Sequence, residues 1–383
     1  MNVKLEKNKK RSLMSKVTEI NPSYVCFEIP DDYDILVNID EEVKKNQILA
    51  NCSYNTSIVS SVAGKIVECG KLIKIENNYT ESKELVDVTN MNKEKFIKLL
   101  KDSGIVGMSG AGFPTYKKYD VDRIDTLIVN AVECEPYITS DYTIIKLHAK
   151  EIIEAIEKIM EINNIKETII AVEKNNNKIK NFFDNYTTAK IKVKEVKDVF
   201  SSGWERKIIK QVKNIEYDKL PIEKNIITNN VSTIFAIKRL LDGKRLDARM
   251  VTITGDIDSS NYLVKIGTSI FHLIKDLNLE NKDVIIGGPM MGTIYKDEYI
   301  TPKTNCILII NKTKEKESPC IRCGKCIQIC PVKLEPVLIK DNIDDIEKLK
   351  NLRVQKCMEC GLCSYICPSK IKLRDKIIEA KRR

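Results

Sequence analysis

Thr126-Leu-Ile-Val-Asn-Ala-Val-Glu-Cys-Glu-Pro-Tyr137 is an apolar run that breaks into two carboxylates, Glu133 and Glu135, with Asp141 close behind. An uninterrupted apolar run of this length reads as a strand buried on both faces, as in a parallel sheet. Downstream, helix 143–162, strand Thr168–Val172, helix 175–186 and strand Lys190–Val196 alternate, which is the pattern of an α/β layer. A helical run follows Phe200-Ser-Ser-Gly-Trp-Glu205. Ile226-Ile-Thr-Asn-Asn-Val-Ser-Thr233 then reads as the start of the last helix of this unit, capped by Asn229 or Asn230. Upstream, residues 91–102 carry Phe96, Leu99 and Leu100 at helical spacing, with Asn92 or Asn90 as cap and Gly104 as stop. Next comes Gly104-Ile-Val-Gly-Met-Ser-Gly-Ala-Gly-Phe-Pro-Thr115, whose glycines let backbone N–H groups converge on an anion. The loop follows a helix, not a strand, so it is not a dinucleotide-binding G-x-G-x-x-G turn. Taken alone it reads equally as a flexible loop. Beside carboxylates at a strand's carboxyl end, it lies where open α/β sheets bind ligands.

Beyond this unit the pattern changes. Strands Arg249–Thr254, Asn261–Ile266, Val284–Ile286 and Cys306–Ile310 and a short helix Ser269–Leu277 form a compact α+β module. A charged linker, 311–318, leads to Cys320-Ile-Arg-Cys-Gly-Lys-Cys-Ile-Gln-Ile-Cys330-Pro331, which recurs as Cys357-Met-Glu-Cys-Gly-Leu-Cys-Ser-Tyr-Ile-Cys367-Pro368. In each C-x2-C-x2-C-x3-C-P copy, three thiolates hold one 4Fe–4S cluster and the fourth ligates the cluster of the other copy. Cluster one is therefore assigned to Cys320, Cys323, Cys326 and Cys367. Cluster two takes Cys330, Cys357, Cys360 and Cys363. Paired zinc sites are the plainer alternative, since C-x2-C also binds zinc; a duplicated run with Pro after each copy argues against them.

The 383 residues allow several domains. Residues 1–22 are polar and basic and read as poorly ordered. Short alternating runs from 23 to 88 predict a small all-β unit. No run is long and apolar enough for a transmembrane helix, and the basic N-terminus lacks the apolar core of a secretory signal. Thirteen Cys fit a reducing compartment. Of those outside the runs, Cys26, Cys52, Cys69 and Cys306 read as small buried hydrophobes and Cys134 as packing rather than a reactive thiol. Net charge is +10. The excess in residues 312–383 suits an acidic redox partner or an anionic lipid surface, or is simply a solvated tail. One Trp and few aromatics argue against nucleic acid.

From about Val43 onward the chain resembles RnfC, the NADH-side component of the Rnf ferredoxin–NAD oxidoreductase, an electron transport complex. It is more distantly similar to PrdC of the proline reductase system and to the flavin subunit of respiratory complex I. The likeness rests on Gly107–Thr115, Asn130–Tyr137, Asn229–Thr233, Gly287-Gly-Pro-Met-Met-Gly292 and the two cysteine runs, in the family's order. It implies a multidomain α/β fold. Residues 1–22 form a basic N-terminal segment and 23–88 a barrel-sandwich (biotinyl/lipoyl-like) domain, without the lysine that would carry a swinging cofactor. Residues 89–247 are an FMN/NADH-binding α/β domain, 248–311 a β-grasp-like SLBB domain, and 312–383 a ferredoxin-type dicluster domain. The resemblance further implies FMN against Gly107, Gly110 and Gly112, with Lys118 paired to its phosphate or ring edge. Asn130, Glu133, Gly203, Glu205, Asn230 and Thr233 would line it, and Phe113 and Glu135 would be nearest NAD(H). Ser109 stands where the family has Gly, the Phe200–Glu205 element is altered, and the family's N-terminal histidine- and glycine-containing segment is absent. The implied function is an NADH-dependent oxidoreductase subunit, peripheral to the inner face of the cell membrane. Its partners would be the other subunits of the complex and ferredoxin or another redox protein. A soluble PrdC-like electron carrier feeding a reductase, and a cluster-bearing scaffold without flavin, remain as alternatives.

Overall fold

The computed structural model describes residues 17–81, 85–174, 177–279, 282–312 and 316–383. Four parallel strands form the central sheet, in the order Ile191–Val196, Glu167–Glu173, Thr126–Ala131, Ile226–Asn230. Both faces are buried, which is why Thr126–Ala131 is apolar throughout most of its length. Leu127, Val129 and Ala131 face helices Ser140–Asn163 and Val231–Leu241, and Ile128 faces helix Glu205–Lys213. The chain runs outward through three strands and returns to place Ile226–Asn230 beside the first. The strand order therefore reverses between Thr126–Ala131 and Ile226–Asn230, and such a reversal opens a crevice at the carboxyl ends.

Helix Lys93–Asp102 is capped by Asn92, whose side chain accepts from Lys95 N, and buries Phe96, Leu99 and Leu100. Residues 24–77 form two small sheets, Tyr24–Glu28/Leu72–Asn77/Gly64–Glu68/Glu42–Val43 and Asp34–Ile35/Ile48–Asn51/Ile58–Val59. Their apolar faces merge with the α/β core, so Leu49, Ile66 and Ile75 belong to the same cluster as Leu127 and Ile152.

Two sequence expectations are corrected. Ile226–Asn230 is the fourth strand rather than the beginning of a helix; the helix starts at Val231. The asparagines obscured a strand whose two faces are both covered. Residues 1–22 are not uniformly unstructured, because Thr18–Ile20 pairs in parallel with Ser260–Lys265. That strand completes a six-stranded sheet with Ala248–Gly255, Cys306–Ile310, Asp283–Ile286 and Thr293–Ile294. Three residues carry little periodicity, so only the distant partner strand defines them. Residues 1–16 of the basic segment lie outside the described residues, as does 313–315 of the linker. Cys26, Cys52 and Cys306 are buried as expected, whereas Cys69 is only half-buried.

Three units meet at Asp247, which is 2% exposed. Lys45 of the all-β unit lies 3.1 Å from it, Arg239 of helix Val231–Leu241 2.7 Å, and Lys265 3.1 Å. Burial would raise this carboxyl's pKa, but the three cations outweigh burial and hold it at about 2. A depressed pKa contributes stability that is complete above the unfolded value and is lost as pH falls through the folded one, here about 2–3 kcal/mol. The gap in urea midpoint between the wild type and Asp247→Asn is therefore expected to be constant from pH 8 to pH 5 and to narrow between about pH 4 and 2. A gap indifferent to pH would remove the carboxylate's charge from the account.

Candidate flavin site and cluster domain

The glycine loop is pinned at its base and open at its tip. Gly107 N donates to Phe113 O at 2.8 Å, and Met108 N donates to Thr233 Oγ1 at 3.1 Å. Gly112 has φ +69°, a left-handed conformation that favours glycine. Ser109, Gly110 and Phe113 are exposed. The bulk that Ser109 adds over glycine is therefore accommodated in the open at the tip.

Below the loop, the reversal in strand order brings the expected residues together. Asn130 and Asn230 are register partners on adjacent strands. Asn130 Nδ2 donates to Gly203 O at 3.0 Å, and its Oδ1 accepts from Val132 N. Asn230 caps helix Val231–Leu241 through Ser232 N and donates to Asp141 Oδ2 at 2.6 Å. Ser232 Oγ donates to the other oxygen of Asp141. Glu133 is buried and accepts from Asp141 N at 2.9 Å and from Tyr142 N at 3.3 Å, at the amino end of helix Ser140–Asn163. A helix amino end stabilises a carboxylate. Glu205 occupies the first turn of helix Glu205–Lys213 and accepts from Tyr217 OH at 3.1 Å.

Lys118 comes from the short helix Tyr116–Tyr119, and its ammonium donates to Thr228 O. Burial pushes its pKa below the usual lysine range, with Glu205 acting in the opposite sense. A half-buried ammonium has three donors to satisfy, and a single carbonyl leaves capacity that suits an anion. On the same elements, Thr115 Oγ1, Thr228 Oγ1 and Asn229 Oδ1 are buried without a hydrogen-bond partner among the described residues. Native interiors rarely leave such atoms unsatisfied. The amine and the glycine loop thus fit an anionic group, and the phosphate of FMN has that chemistry.

Glu135 lies apart from this group. Its Oε1 accepts from Met290 N at 2.8 Å and Met291 N at 3.0 Å, in the turn Gly287–Gly292. Arg249 is a site residue absent from the sequence expectations. It is 2% exposed and donates to Met108 O at 2.9 Å, to Pro302 O and to Met250 O. Burial pulls its pKa down to about 10 against the opposing pull of Asp141 and Glu133. An arginine inside the apolar run Ala248–Gly255 was the available signal.

The motif cysteines occupy two adjoining neighbourhoods, and Cys363 borders both. Cys320, Cys323, Cys326 and Cys367 line one cavity, walled by Val337, Ile371 and Leu373. Cys330, Cys357 and Cys363 border the apolar cluster of Leu334, Leu349, Val354 and Ile377. Burial, then the neighbouring thiolates, push Cys360 up to about 11 and Cys363 to about 12, with Cys330 and Cys357 among those neighbours. These thiols become ligands only with a metal's positive charge beside them. Among the described residues no three His, Cys, Asp or Glu side chains form a preassembled single-ion site. Gly324 and Gly361, at φ +71° and +76°, open the short helices that carry the third cysteine of each run. Backbone N–H groups point at sulfur in the first run, Arg322 N at Cys320 and Leu334 N at Cys330, and in the second, Glu359 N at Cys357; such bonds tune cluster potentials.

Residues 100–239 match the Nuo51 FMN-binding domain, and residues 312–371 match the 4Fe-4S dicluster domain. The cofactors of the chain are accordingly FMN and 4Fe–4S clusters. Among similar proteins is the C component of the ion-translocating oxidoreductase complex of Buchnera aphidicola subsp. Acyrthosiphon pisum. It is 33% identical over 352 residues, covering 82% of this chain and 74% of the relative. The protein of the same name from Buchnera aphidicola subsp. Baizongia pistaciae is 33% identical, covering 84% and 71%. That of Vibrio cholerae (El Tor Inaba) is 35% identical over 65% of this chain but only 35% of its own length. Among solved structures, the NAD+-reducing [NiFe]-hydrogenase in its H2-reduced state aligns with TM-score 0.54 at 12% identity, over 77% of this chain and 61% of that one. At that identity the likeness is one of fold. No helix among the described residues is long and apolar enough to cross a membrane.

Proposed function

The chain belongs to the RnfC family of ion-translocating oxidoreductase complexes, and from that premise we propose that it is the electron-entry subunit of an Rnf-type ferredoxin:NAD oxidoreductase. The observation that carries this reading is the half-buried Lys118 at the crevice of an FMN-binding domain, in one chain with two four-cysteine runs, four of whose thiols line one cavity. When bound, FMN takes an electron pair from NADH as hydride and gives it up singly to clusters, which carry one electron each. The chain supplies position and charge. Lys118 holds the anionic end, and the glycine loop offers backbone N–H groups while excluding side chains. Glu133 and Asp141, fixed by helix ends and by Asn230, set a rigid negative wall. The exposed Phe113, with the open loop tip, is the side from which NAD(H) approaches.

The domains follow the same reading. The paired small sheets of 23–88 are a barrel-sandwich unit, 248–311 is an SLBB module, and 312–383 carries the two clusters. Docking is peripheral, on the inner face of the membrane, against other subunits of the complex, with ferredoxin or a related redox protein as electron partner.

The test is an anaerobic NADH titration of iron-reconstituted protein with added FMN, followed by absorbance. Flavin bleaching followed by cluster bleaching supports the relay; intact clusters that NADH cannot reduce contradict it. Lys118→Met is expected to weaken FMN binding about 10- to 100-fold, the worth of a charge-assisted hydrogen bond. Flavin fluorescence quenching measures this, and the iron content should be unchanged. Undiminished FMN affinity would remove Lys118 from the site.

A further inference from the structure

The turn Gly287-Gly-Pro-Met-Met-Gly292 lies between Glu135, in the segment that follows strand Thr126–Ala131, and the cysteine run 357–363, and both sides grip it. On one side Glu135 Oε1 accepts from Met290 N and Met291 N at 2.8 and 3.0 Å. On the other, Arg374 of helix Leu373–Lys381 donates to Met291 O at 2.7 Å and to Gly292 O at 2.9 Å. The same guanidinium donates through Nε to Glu359 O at 2.9 Å, inside the second cysteine run. Contacts are tight enough to exclude a methyl group. A Cβ on Gly361 would lie 2.1 Å from Met290 O, and one on Gly288 would lie 2.1 Å from Glu135 Cγ. Apolar packing closes the junction: Met290 and Phe200 pack with Cys360, Leu362 and Cys134. In the group assigned to cluster one, by contrast, Cys323 is exposed.

We propose that Glu135 and Arg374 are positioning residues that clamp the 287–292 turn between the flavin domain and the Cys330/Cys357/Cys360/Cys363 cluster, making that cluster the first electron acceptor. The inference rests on the relay described above and specifies its joint. With both groups bound, the clamp would hold cluster two where it could accept single electrons from reduced flavin, the cluster being reduced as the flavin is oxidised and the flavin's proton passing to solvent. Neither side chain gains or loses a proton in that step. A charge-assisted grip on two successive carbonyls is directional, and a displacement of about 1 Å between reacting groups costs up to about a hundredfold in rate. In this arrangement the Glu135 carboxylate serves the turn through one oxygen. A glutamine, which keeps that acceptor and loses the charge, should serve as well.

The test compares Arg374→Gln, Glu135→Ala and Glu135→Gln in the reconstituted protein, by stopped-flow with NADH and by amide hydrogen exchange without it. Arg374→Gln and Glu135→Ala should keep both cluster signals in electron paramagnetic resonance and, for Arg374→Gln, an unchanged rate of flavin reduction. Cluster reduction should slow about 10- to 100-fold, and exchange at Met290 and Met291 should accelerate. Glu135→Gln should restore both slow exchange and fast cluster reduction. Fast cluster reduction in Arg374→Gln despite accelerated exchange would overturn the positioning role. Unaltered exchange at Met290 and Met291 in both Arg374→Gln and Glu135→Ala would overturn the clamp. Wild-type protein that NADH does not reduce would contradict the relay instead, while the exchange result still decides the clamp.

Discussion

Cys330→Ser is expected to abolish the cluster held by the second cysteine run and to spare the one held by the first, although Cys330 itself belongs to the first. Iron content should fall by about half, and one of two paramagnetic signals should vanish on reduction. The reason is spatial. Cys330 borders the apolar cluster that Cys357 and Cys363 also border, whereas Cys367 lines the cavity of Cys320, Cys323 and Cys326. Leu334 N, 3.2 Å from Cys330 Sγ, fixes the thiol's direction. Cys367→Ser should do the converse. In Cys330→Ser, NADH should still bleach bound flavin while the surviving cluster is reduced slowly or not at all. Loss of the Cys320–Cys326 signal instead would overturn the crossed ligation.

Arg249→Leu is expected to cost about 3–5 kcal/mol of folding stability, the usual penalty for removing one member of a buried charged network. Its guanidinium satisfies carbonyls from three segments, Met108, Met250 and Pro302. It is also the cation that Asp141 and Glu133 face from within the core. Without it, two buried carboxylates repel each other and the base of the glycine loop loses its anchor. Arg249→Lys should recover charge but not the fork of donors, so it should regain part of the stability and still loosen residues 107–113. Urea unfolding measures the first effect and amide exchange across the loop the second. A loss below about 1 kcal/mol for Arg249→Leu would show that the network does not depend on this residue.

The cysteine region is the most legible part of the sequence, because metal ligation imposes residue type and spacing together. Spacing alone assigns Cys330 and Cys367 to opposite groups. The α/β strands are legible where burial on both faces makes them apolar, as in Thr126–Ala131, and illegible where amides at the site enter a strand. Ile226–Asn230 is hidden for that reason: its Asn229 and Asn230 resemble a cap, and Asn230 is one, but only as the fifth residue of a strand. Long-range pairing leaves still less trace. Nothing local in Thr18–Ile20 specifies a partner at Tyr262–Val264. Asp247 and Arg249 flank and enter an apolar strand, and their cationic and carbonyl partners come from segments far apart in the chain. At the glycine loop the stretch Gly107–Thr115 is contiguous and its glycines can be read directly, although taken alone it reads equally as a flexible loop.

The parallel strand at Thr18–Ile20 has a consequence for how the chain is made. During synthesis these residues emerge early, yet the strand they complete against, Ser260–Lys265, leaves the ribosome more than two hundred residues later. Until then the early segment has no sheet to join, and the late sheet, once formed, offers an open edge on one side. An unpaired edge is a template for wrong partners. The nascent protein therefore seals a late-made sheet with a piece it has carried unpaired through the synthesis of more than two hundred residues. Deleting that piece damages a region that the linear map places far downstream.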